Sequence, residues 1–242
     1  MDYIYLLIVS FFSNLFSAFS GGGAGIVQLP AILLLFEITF PVALATHKIS
    51  TVLLGVGASL KFFERTSPEK KFIKDGIFIG LPAVVFGAYS ISYIDEVIAR
   101  KLLGTLIFIV FVLSFTKSTK KVKNVSNTHI EYIVLFIIGF LNGSLSAGTG
   151  LLYTLMLTKI YGMTFKEAVG YTLLVVGLLF NLVGAITLYL ISNIDISILP
   201  ILLIGSFIGG YVGAMLAIKK SNKIIKIAYQ FVTLVVAYKL LF

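Results

Sequence analysis

Apolar stretches of membrane-spanning or near-spanning length follow one another along almost the whole chain of 242 residues. They occupy residues 3–20, 26–36, 41–63, 76–94, 98–115, 132–147, 151–161, 168–191, 198–218 and 224–242. Inside a bilayer every backbone N–H and C=O group must find its partner within the protein, and segments of this length achieve that as helices. The sequence therefore predicts an all-α polytopic membrane protein without a soluble domain.

Composition narrows the range of partners. Hydrophobic residues make up 59% of the chain, charged residues 12%, and the formal net charge is +9. The lysines lie mainly in short connections between apolar segments, where they orient a membrane protein, so we expect a lipid bilayer and no nucleic acid as partner. The absence of cysteine excludes disulfides and thiolate metal sites. We expect no metal and no cofactor, and the sequence does not define an oligomeric state.

Two glycine-rich breaks interrupt the apolar pattern. Residues 17–30 read SAFSGGGAGIVQLP, and residues 142–151 read NGSLSAGTGL. Glycine at this density loosens a helix and permits close approach of another backbone or a ligand. Unwound backbone at membrane depth is tolerated only when it is buried in protein or lines a wet cavity. Because the arm at 151–161 would cover only about 16 Å of a core of about 30 Å, we predict hairpins whose tips lie inside the bilayer.

The two halves of the chain resemble each other. A shift of about 125 positions aligns identical residues, namely Gly23 with Gly148, Gly25 with Gly150, Thr39 with Thr164, Phe40 with Phe165 and Ala43 with Ala168. We therefore predict two homologous repeats of about five helical segments each, at residues 1–116 and 131–242, joined by a basic linker at 117–130. Each repeat would open with one of the glycine-rich hairpins.

The lysine-rich connections predict the orientation. Clusters within residues 61–74, 117–123 and 219–226 can all lie on the cytoplasmic side, which makes the linker at 117–130 cytoplasmic. An odd number of segments in each repeat then inverts the second repeat relative to the first. We expect a multi-pass protein of the cell membrane. Arg100 and Lys101 would lie just beyond an outside loop in this topology, where Asp95 and Glu96 can pair with them.

The hairpin tips are candidate binding sites for an anion. If the short arms begin as helices at the tips, their first N–H groups and positive dipole ends point toward the middle of the membrane. Small residues at these positions also have a simpler explanation, which is close packing of helices. The candidate substrate-binding residues of the tips are Gly22, Gly23, Ala24, Gly25, Gly148, Thr149 and Gly150.

Polar side chains in the segments that follow the tips are further candidates. His47 and Lys48 lie within an apolar helix, where Lys48 can neutralise an anion or instead extend to the interface, and His47 can donate a hydrogen bond or exchange a proton. Asn181 needs partners, which a substrate or a neighbouring helix can supply. Further candidates of this kind are Gln28, Thr46, Asn142, Tyr153, Tyr171 and Thr172.

These motifs resemble the TauE/SafE family of sulfite and organosulfonate exporters. The resemblance rests on the glycine-rich tip followed by an arm with Pro30, on the ATxK element at residues 45–48, and on the second tip followed by Thr172 and Asn181. It extends over essentially the whole chain. It implies transport of small anions, often sulfur compounds, across the bacterial cytoplasmic membrane. Family members usually carry Asn where this chain has His47, so the resemblance implies less about the substrate than about the fold.

Three functions are compatible with these features. The first is a secondary transporter that exports a small anion such as sulfite or an organosulfonate. It would work by alternating access around a midplane site and be driven by a proton or sodium gradient or by the membrane potential. The second is an intramembrane enzyme, for which an orienting acid and a metal cluster are missing from the sequence. The third is a passive anion channel on the same scaffold. We expect a transporter and not an enzyme.

Overall fold

The computed structural model describes residues 1–64, 67–114, 128–219 and 238. The helices in this part of the chain are α1 (Asp2–Ser20), α2 (Ala24–Leu35), α3 (Phe40–Phe62), α4 (Lys70–Ser92), α5 (Glu96–Ser114), α6 (Thr128–Ser144), α7 (Thr149–Ile160), α8 (Phe165–Ile191) and α9 (Leu199–Lys219). Helices α4 and α8 each contain a π-helical stretch, Gly76–Gly80 and Leu173–Phe180. The predicted segment at 224–242 lies outside the described residues except for residue 238. Residues 117–127 of the predicted linker also lie outside them.

Five of these helices, α1, α3, α4, α8 and α9, are long and apolar enough to cross a membrane. The predicted all-α polytopic fold is thereby confirmed. Helices α2 and α7 have only 12 residues each. A helix of this length measures about 18 Å, which is less than the hydrocarbon core of about 30 Å. Each therefore forms the short arm of a hairpin, with α1 and α6 as the long arms.

Glycine makes the sharp turn between α1 and α2 possible. Gly21, Gly22 and Gly23 have φ values of 81°, 130° and 136°, in the region that L side chains rarely adopt. The turn before α7 has Gly148 at 70° and also Ser146 at 58°, a non-glycine residue held in left-handed backbone. Both predicted breaks are thus real interruptions of the helices.

The two halves of the chain pack mainly on each other. The most extensive contacts join α1 to α9, α3 to α9 and α4 to α6, and α3 also crosses α8. Glycines allow the close approach of α9 to α1, because a Cβ on Gly205, Gly209 or Gly213 would meet the α1 backbone or the Ser10 side chain. The opening helix of each half thus packs on the fourth segment of the other half.

The outer end of α2 contacts α5 through Arg100. The Arg100 Nη2 atom lies 2.6 Å from Glu96 Oε1, and its Nη1 donates to the main-chain oxygen of Leu33 at 3.3 Å. The expected pairing of Arg100 with Glu96 is present, and the arginine also binds the end of the short arm. This contact accounts for a charged side chain at the edge of an apolar helix.

Candidate functional site

A small cavity of about 30 Å³ lies where the two hairpin tips meet α3, α6 and α8. Its polar side chains are Ser17, His47, Thr51, Asn142, Ser146, Thr149, Thr172 and Asn181. Small residues and three apolar side chains complete the wall, namely Gly22, Gly23, Ala24, Gly25, Gly150, Gly177, Leu54, Leu173 and Val176. No carboxylate is among the described residues that line it. The cavity is therefore polar without carrying negative charge.

The two tips touch each other directly. A Cβ on Gly22 would lie 2.5 Å from the Gly150 Cα, and a Cβ on Gly25 would collide with the main-chain oxygen of Ser146. Real Cβ atoms do not approach so closely, so only glycine allows this contact. The backbones of the two halves consequently meet at the cavity, as the sequence predicted for its two glycine clusters.

Two helices begin at this meeting point. Helix α2 begins at Ala24 and α7 begins at Thr149, and neither start has a side chain that caps it. The first N–H groups of a helix lack partners within the helix and carry its positive dipole end. Since Ala24, Gly25, Thr149 and Gly150 all line the cavity, both helix starts are placed to bind an anion there.

Lys48 is fully buried behind the cavity wall. Its Nζ donates to the main-chain oxygen of Asn142 at 2.7 Å and to Asn142 Oδ1 at 3.0 Å. Ser146 Oγ and Asn181 Oδ1 each accept at 3.4 Å. All four acceptors are uncharged, so the ammonium is hydrogen-bonded without being neutralised. Lys48 therefore does not extend to the membrane interface, which was the alternative that the sequence left open.

The Lys48 ammonium orients the amides that line the cavity. Because the Oδ1 atoms of Asn142 and Asn181 point to Lys48, the amide nitrogens are left for other partners. Asn142 Nδ2 donates to Thr149 Oγ1 at 3.2 Å, at the start of α7. Lys48 does not itself line the cavity, so its charge acts through one layer of amide and hydroxyl groups. It is a positioning residue in this conformation.

His47 lines the same cavity. The side chain is 1% exposed, and its Nδ1 atom is buried without a hydrogen-bond partner. A buried polar atom without a partner is costly and is uncommon in native proteins. The His47 ring is therefore an incompletely satisfied polar group in the wall of the cavity.

Hydroxyl groups of α7 and α8 join the second half of the chain to the first hairpin tip. Thr154 Oγ1 donates to the main-chain oxygen of Gly21 at 3.0 Å and lies 2.8 Å from Thr172 Oγ1. Thr172 also donates to the main-chain oxygen of Ala168 within its own helix. The first tip is thus attached to the arm and the following helix of the second half.

Comparison with known proteins agrees with this architecture. A sequence model of the family described as Sulfite exporter TauE/SafE matches residues 6–240. The chain belongs to the TauE/SafE family. It is also similar to a Haemophilus influenzae protein named "Probable membrane transporter protein", with 25% identity over 229 residues, which is 91% of this chain and 87% of the relative. No solved structure matches.

Membership of the TauE/SafE family makes this chain a multi-pass membrane transporter and not an enzyme. The structure brings most of the predicted substrate-binding residues to one cavity. Those that line it are Gly22, Gly23, Ala24, Gly25, His47, Asn142, Thr149, Gly150, Thr172 and Asn181. Lys48 and Gly148 lie directly behind this wall, with Gly148 as the residue that precedes α7. The remaining four, Gln28, Thr46, Tyr153 and Tyr171, lie elsewhere.

Thr46 and Tyr171 occupy matching positions in the two halves of this TauE/SafE protein and make matching contacts. Thr46 Oγ1 accepts a hydrogen bond from the Asp195 N–H at 2.9 Å, and the Tyr171 hydroxyl accepts one from the Glu69 N–H at 2.8 Å. Each therefore attaches a helix to a connection in the opposite half. These contacts are structural, and neither side chain lines the cavity.

Gln28 and Tyr153 lie on the two short arms but face the surrounding helices. Gln28 accepts from Asn14 Nδ2 and donates to Ser50 Oγ, each at 3.0 Å, which links α1, α2 and α3. Tyr153 is 1% exposed and belongs to an apolar cluster with Phe72 and Leu135. Both positions fit the simpler explanation of contacts between helices.

A larger cavity of about 680 Å³ lies next to Tyr171. Lysine and glutamate side chains line it, namely Lys61, Glu64, Glu69, Lys166, Glu167 and Lys219. Thr172, the neighbour of Tyr171, lines the small cavity instead. The Tyr171 ring packs against Phe63 and Phe72, with centroids 5.6 Å and 4.9 Å away. Phe63 and Tyr171 are themselves part of the lining of the large cavity.

Sequence reasoning missed several features of the site. It did not single out Ser17, or Gly184, whose missing side chain makes room for the Lys48 stem. It also found no intramembrane carboxylate, whereas Glu131 in the first turn of α6 is only 3% exposed and accepts a hydrogen bond from Tyr161 at 2.8 Å. Gly184 lies three residues after Asn181, and this helical spacing was the available signal.

Proposed function

We propose that this protein is a secondary transporter that exports a small anion, with a sulfur oxyanion such as sulfite, or an organosulfonate, as substrate. The observation that carries the proposal is the convergence of two uncapped helix starts on one cavity with an unneutralised ammonium behind its wall. N–H groups at helix starts bind oxyanions generically. Such a site inside an apolar, multi-pass protein serves transport across the membrane.

In this proposal the described residues have different roles in binding the anion. The N–H groups at the starts of α2 and α7 hold the anion, and Thr149, Thr172 and the Asn181 amide supply further hydrogen bonds. His47 lies beside the ligand, since its side chain lines the cavity. Lys48 provides the positive charge and orients the two asparagine amides. The site is then electrostatically suited to an anion and unsuited to a cation.

The size of the cavity favours the smaller substrates. A buried water needs about 10–15 Å³ of such volume, so a cavity of about 30 Å³ holds two or three water-sized groups. An inorganic oxyanion needs little expansion of this space. An organosulfonate needs the tips or α8 to move apart. Sulfite is therefore the better fit to this conformation.

Transport would follow alternating access, in which one half moves against the other around the site. The predicted topology puts the large cavity of about 680 Å³ on the cytoplasmic side, where it would admit the anion. Tyr171 lines this cavity and the adjacent Thr172 lines the site, so both cavities adjoin the same turn of α8. A proton or sodium gradient, or the membrane potential, would drive the cycle.

The same proposal includes the remaining sequence predictions. The protein would lie in the cell membrane as two repeats, residues 1–116 and 131–242, with inverted orientation and a cytoplasmic linker at 117–130. The reciprocal packing of α1 on α9 and of α6 on α4 supports two related halves. Cysteine-scanning accessibility tests the orientation. A cysteine at Tyr93 and one in the linker should react from opposite sides of the membrane.

The function is tested with the purified full chain in liposomes, using radiolabelled sulfite. A transporter shows saturable uptake, and unlabelled sulfite inside the vesicles accelerates entry of the label by counterflow. Flux that stays linear with concentration and shows no counterflow would instead identify a channel. Absence of any sulfite or organosulfonate flux, with the protein correctly inserted, would contradict the proposal.

A further inference from the structure

A single positive charge, that of Lys48, lies next to the candidate site. The described residues that line the cavity come from α1, α2, α3, α6, α7, α8 and the two tips, and they include no Asp, Glu, Arg or Lys. His47 is the titratable side chain in the lining. Lys48 lies just behind, with its Nζ within 3.4 Å of Asn142, Ser146 and Asn181. The charge that a ligand meets is therefore set by these two neighbours on α3.

The contacts of Lys48 are those of an ammonium. An ammonium has three donors and no acceptor, and the Nζ atom is surrounded by oxygen atoms, three of them amide oxygens that can only accept. A second positive charge on the adjacent His47 ring would face this ammonium in a dry, low-dielectric site, where repulsion between like charges is strong. A neutral imidazole avoids that repulsion. The site then carries one unit of positive charge.

We propose that the site selects monovalent over divalent oxyanions, so that it takes sulfite as hydrogensulfite. This inference rests on the proposed function and names its substrate class more narrowly. A monovalent anion cancels the Lys48 charge, whereas a divalent anion leaves one negative charge unpaired inside the membrane, which is costly. The His47 ring in the cavity wall also suits a protonated oxyanion, because a neutral imidazole has one acceptor nitrogen.

Sulfite provides the test, because it changes from the monovalent to the divalent form near neutral pH. Thermal unfolding of the purified full chain is followed with sulfite, with nitrate and formate, which stay monovalent, and with sulfate, which stays divalent. Binding to the folded state raises the unfolding temperature by mass action. We expect the apparent affinity for total sulfite, relative to nitrate or formate, to fall about tenfold per pH unit once hydrogensulfite loses its proton. Sulfate should give no saturable stabilisation at any pH beyond its general salt effect on protein stability.

Two results would overturn the inference while the anion site remains. One is an affinity for total sulfite that keeps a constant ratio to that of the monovalent anions at every pH, and the other is stabilisation by sulfate equal to theirs. If no anion stabilises the protein or is transported, the proposed function fails and this inference fails with it. Two variants separate charge from hydrogen bonding. Lys48→Met should weaken the binding of monovalent anions strongly, because the charge that they cancel is gone, and His47→Asn should keep the preference for monovalent over divalent anions.

Discussion

The Lys48 ammonium of the first half lies 2.7 Å from the main-chain oxygen of Asn142 in the second half and 3.0 Å from its side-chain oxygen. A fully buried charge is thus held by uncharged acceptors on another helix. Burial of an unneutralised charge costs free energy unless hydrogen bonds and a counter-ion compensate it. The hydrogen bonds are present, and an anion in the adjacent cavity would supply the counter-ion. This relationship connects the fold to the proposed transport.

Replacement of Lys48 by Met should weaken sulfite binding at least about tenfold, because a charge-assisted site loses its only cation. Methionine fills a similar volume without a buried charge, so the unfolding temperature without ligand should stay unchanged or rise. Thermal unfolding with and without sulfite measures both effects. Lys101→Met on the exposed face of α5 is the matched control. An unchanged affinity in Lys48→Met would show that the lysine has a purely structural role.

Replacement of Gly184 by Val should impair transport through Lys48. A Cβ at this position would lie 3.0 Å from Lys48 Cδ and 3.1 Å from its Nζ, so a larger side chain displaces the ammonium from Asn142. Sulfite counterflow should fall to the level of Lys48→Met. In the double variant the second change should add almost nothing, because residues that act through one contact are not additive. Additive losses in this cycle would contradict the role of Gly184 as a groove for Lys48.

Replacement of Gly22 by Ala should separate the two hairpin tips. The new Cβ would meet the Gly150 backbone, and the φ value of 130° is unfavourable for alanine. Strained backbone of this kind costs about 1–3 kcal/mol. We expect a lower unfolding temperature and at least about a tenfold loss of sulfite flux, with normal membrane insertion. Wild-type flux in this variant would show that contact between the tips is not needed for the site.

Thr46→Val and Tyr171→Phe should reduce stability without reducing affinity. Each variant removes one hydrogen bond to a main-chain N–H in the opposite half, which is worth about 1 kcal/mol. The unfolding temperature should fall while the sulfite affinity stays within about twofold of the wild type. Thr105→Val is the control, since its exposed hydroxyl bonds only to Lys101 of its own helix. A clear loss of affinity in either variant would return that residue to the substrate site.

Periodicity and composition were sufficient for the membrane architecture. Long apolar segments must form helices in lipid, and glycine clusters in such segments must be breaks, so the two hairpins with short second arms could be predicted. The family could be predicted too, because its motifs lie in these breaks. The internal similarity of Gly23–Gly25 to Gly148–Gly150 also indicated that the tips would meet.

Side-chain partners could not be predicted in the same way. His47 lines the cavity and Thr46 does not, although they are adjacent in sequence, because successive residues of a helix point about 100° apart and only the neighbouring helices decide what each one meets. Tyr171 and Thr172 differ for the same reason. Glu131 was missed because a carboxylate near a helix end is usually solvated, and its burial depends on Tyr161 from another helix.

The sequence by itself determined that this chain crosses a membrane as helices and that two of its segments are interrupted at glycine. These properties follow from local composition, because backbone N–H and C=O groups in lipid must be hydrogen-bonded within each segment. The tertiary structure alone decided that Lys48 turns inward to Asn142 and that its charge reaches the cavity through two amides. That outcome depends on contacts between residues far apart in the chain, which no local pattern encodes.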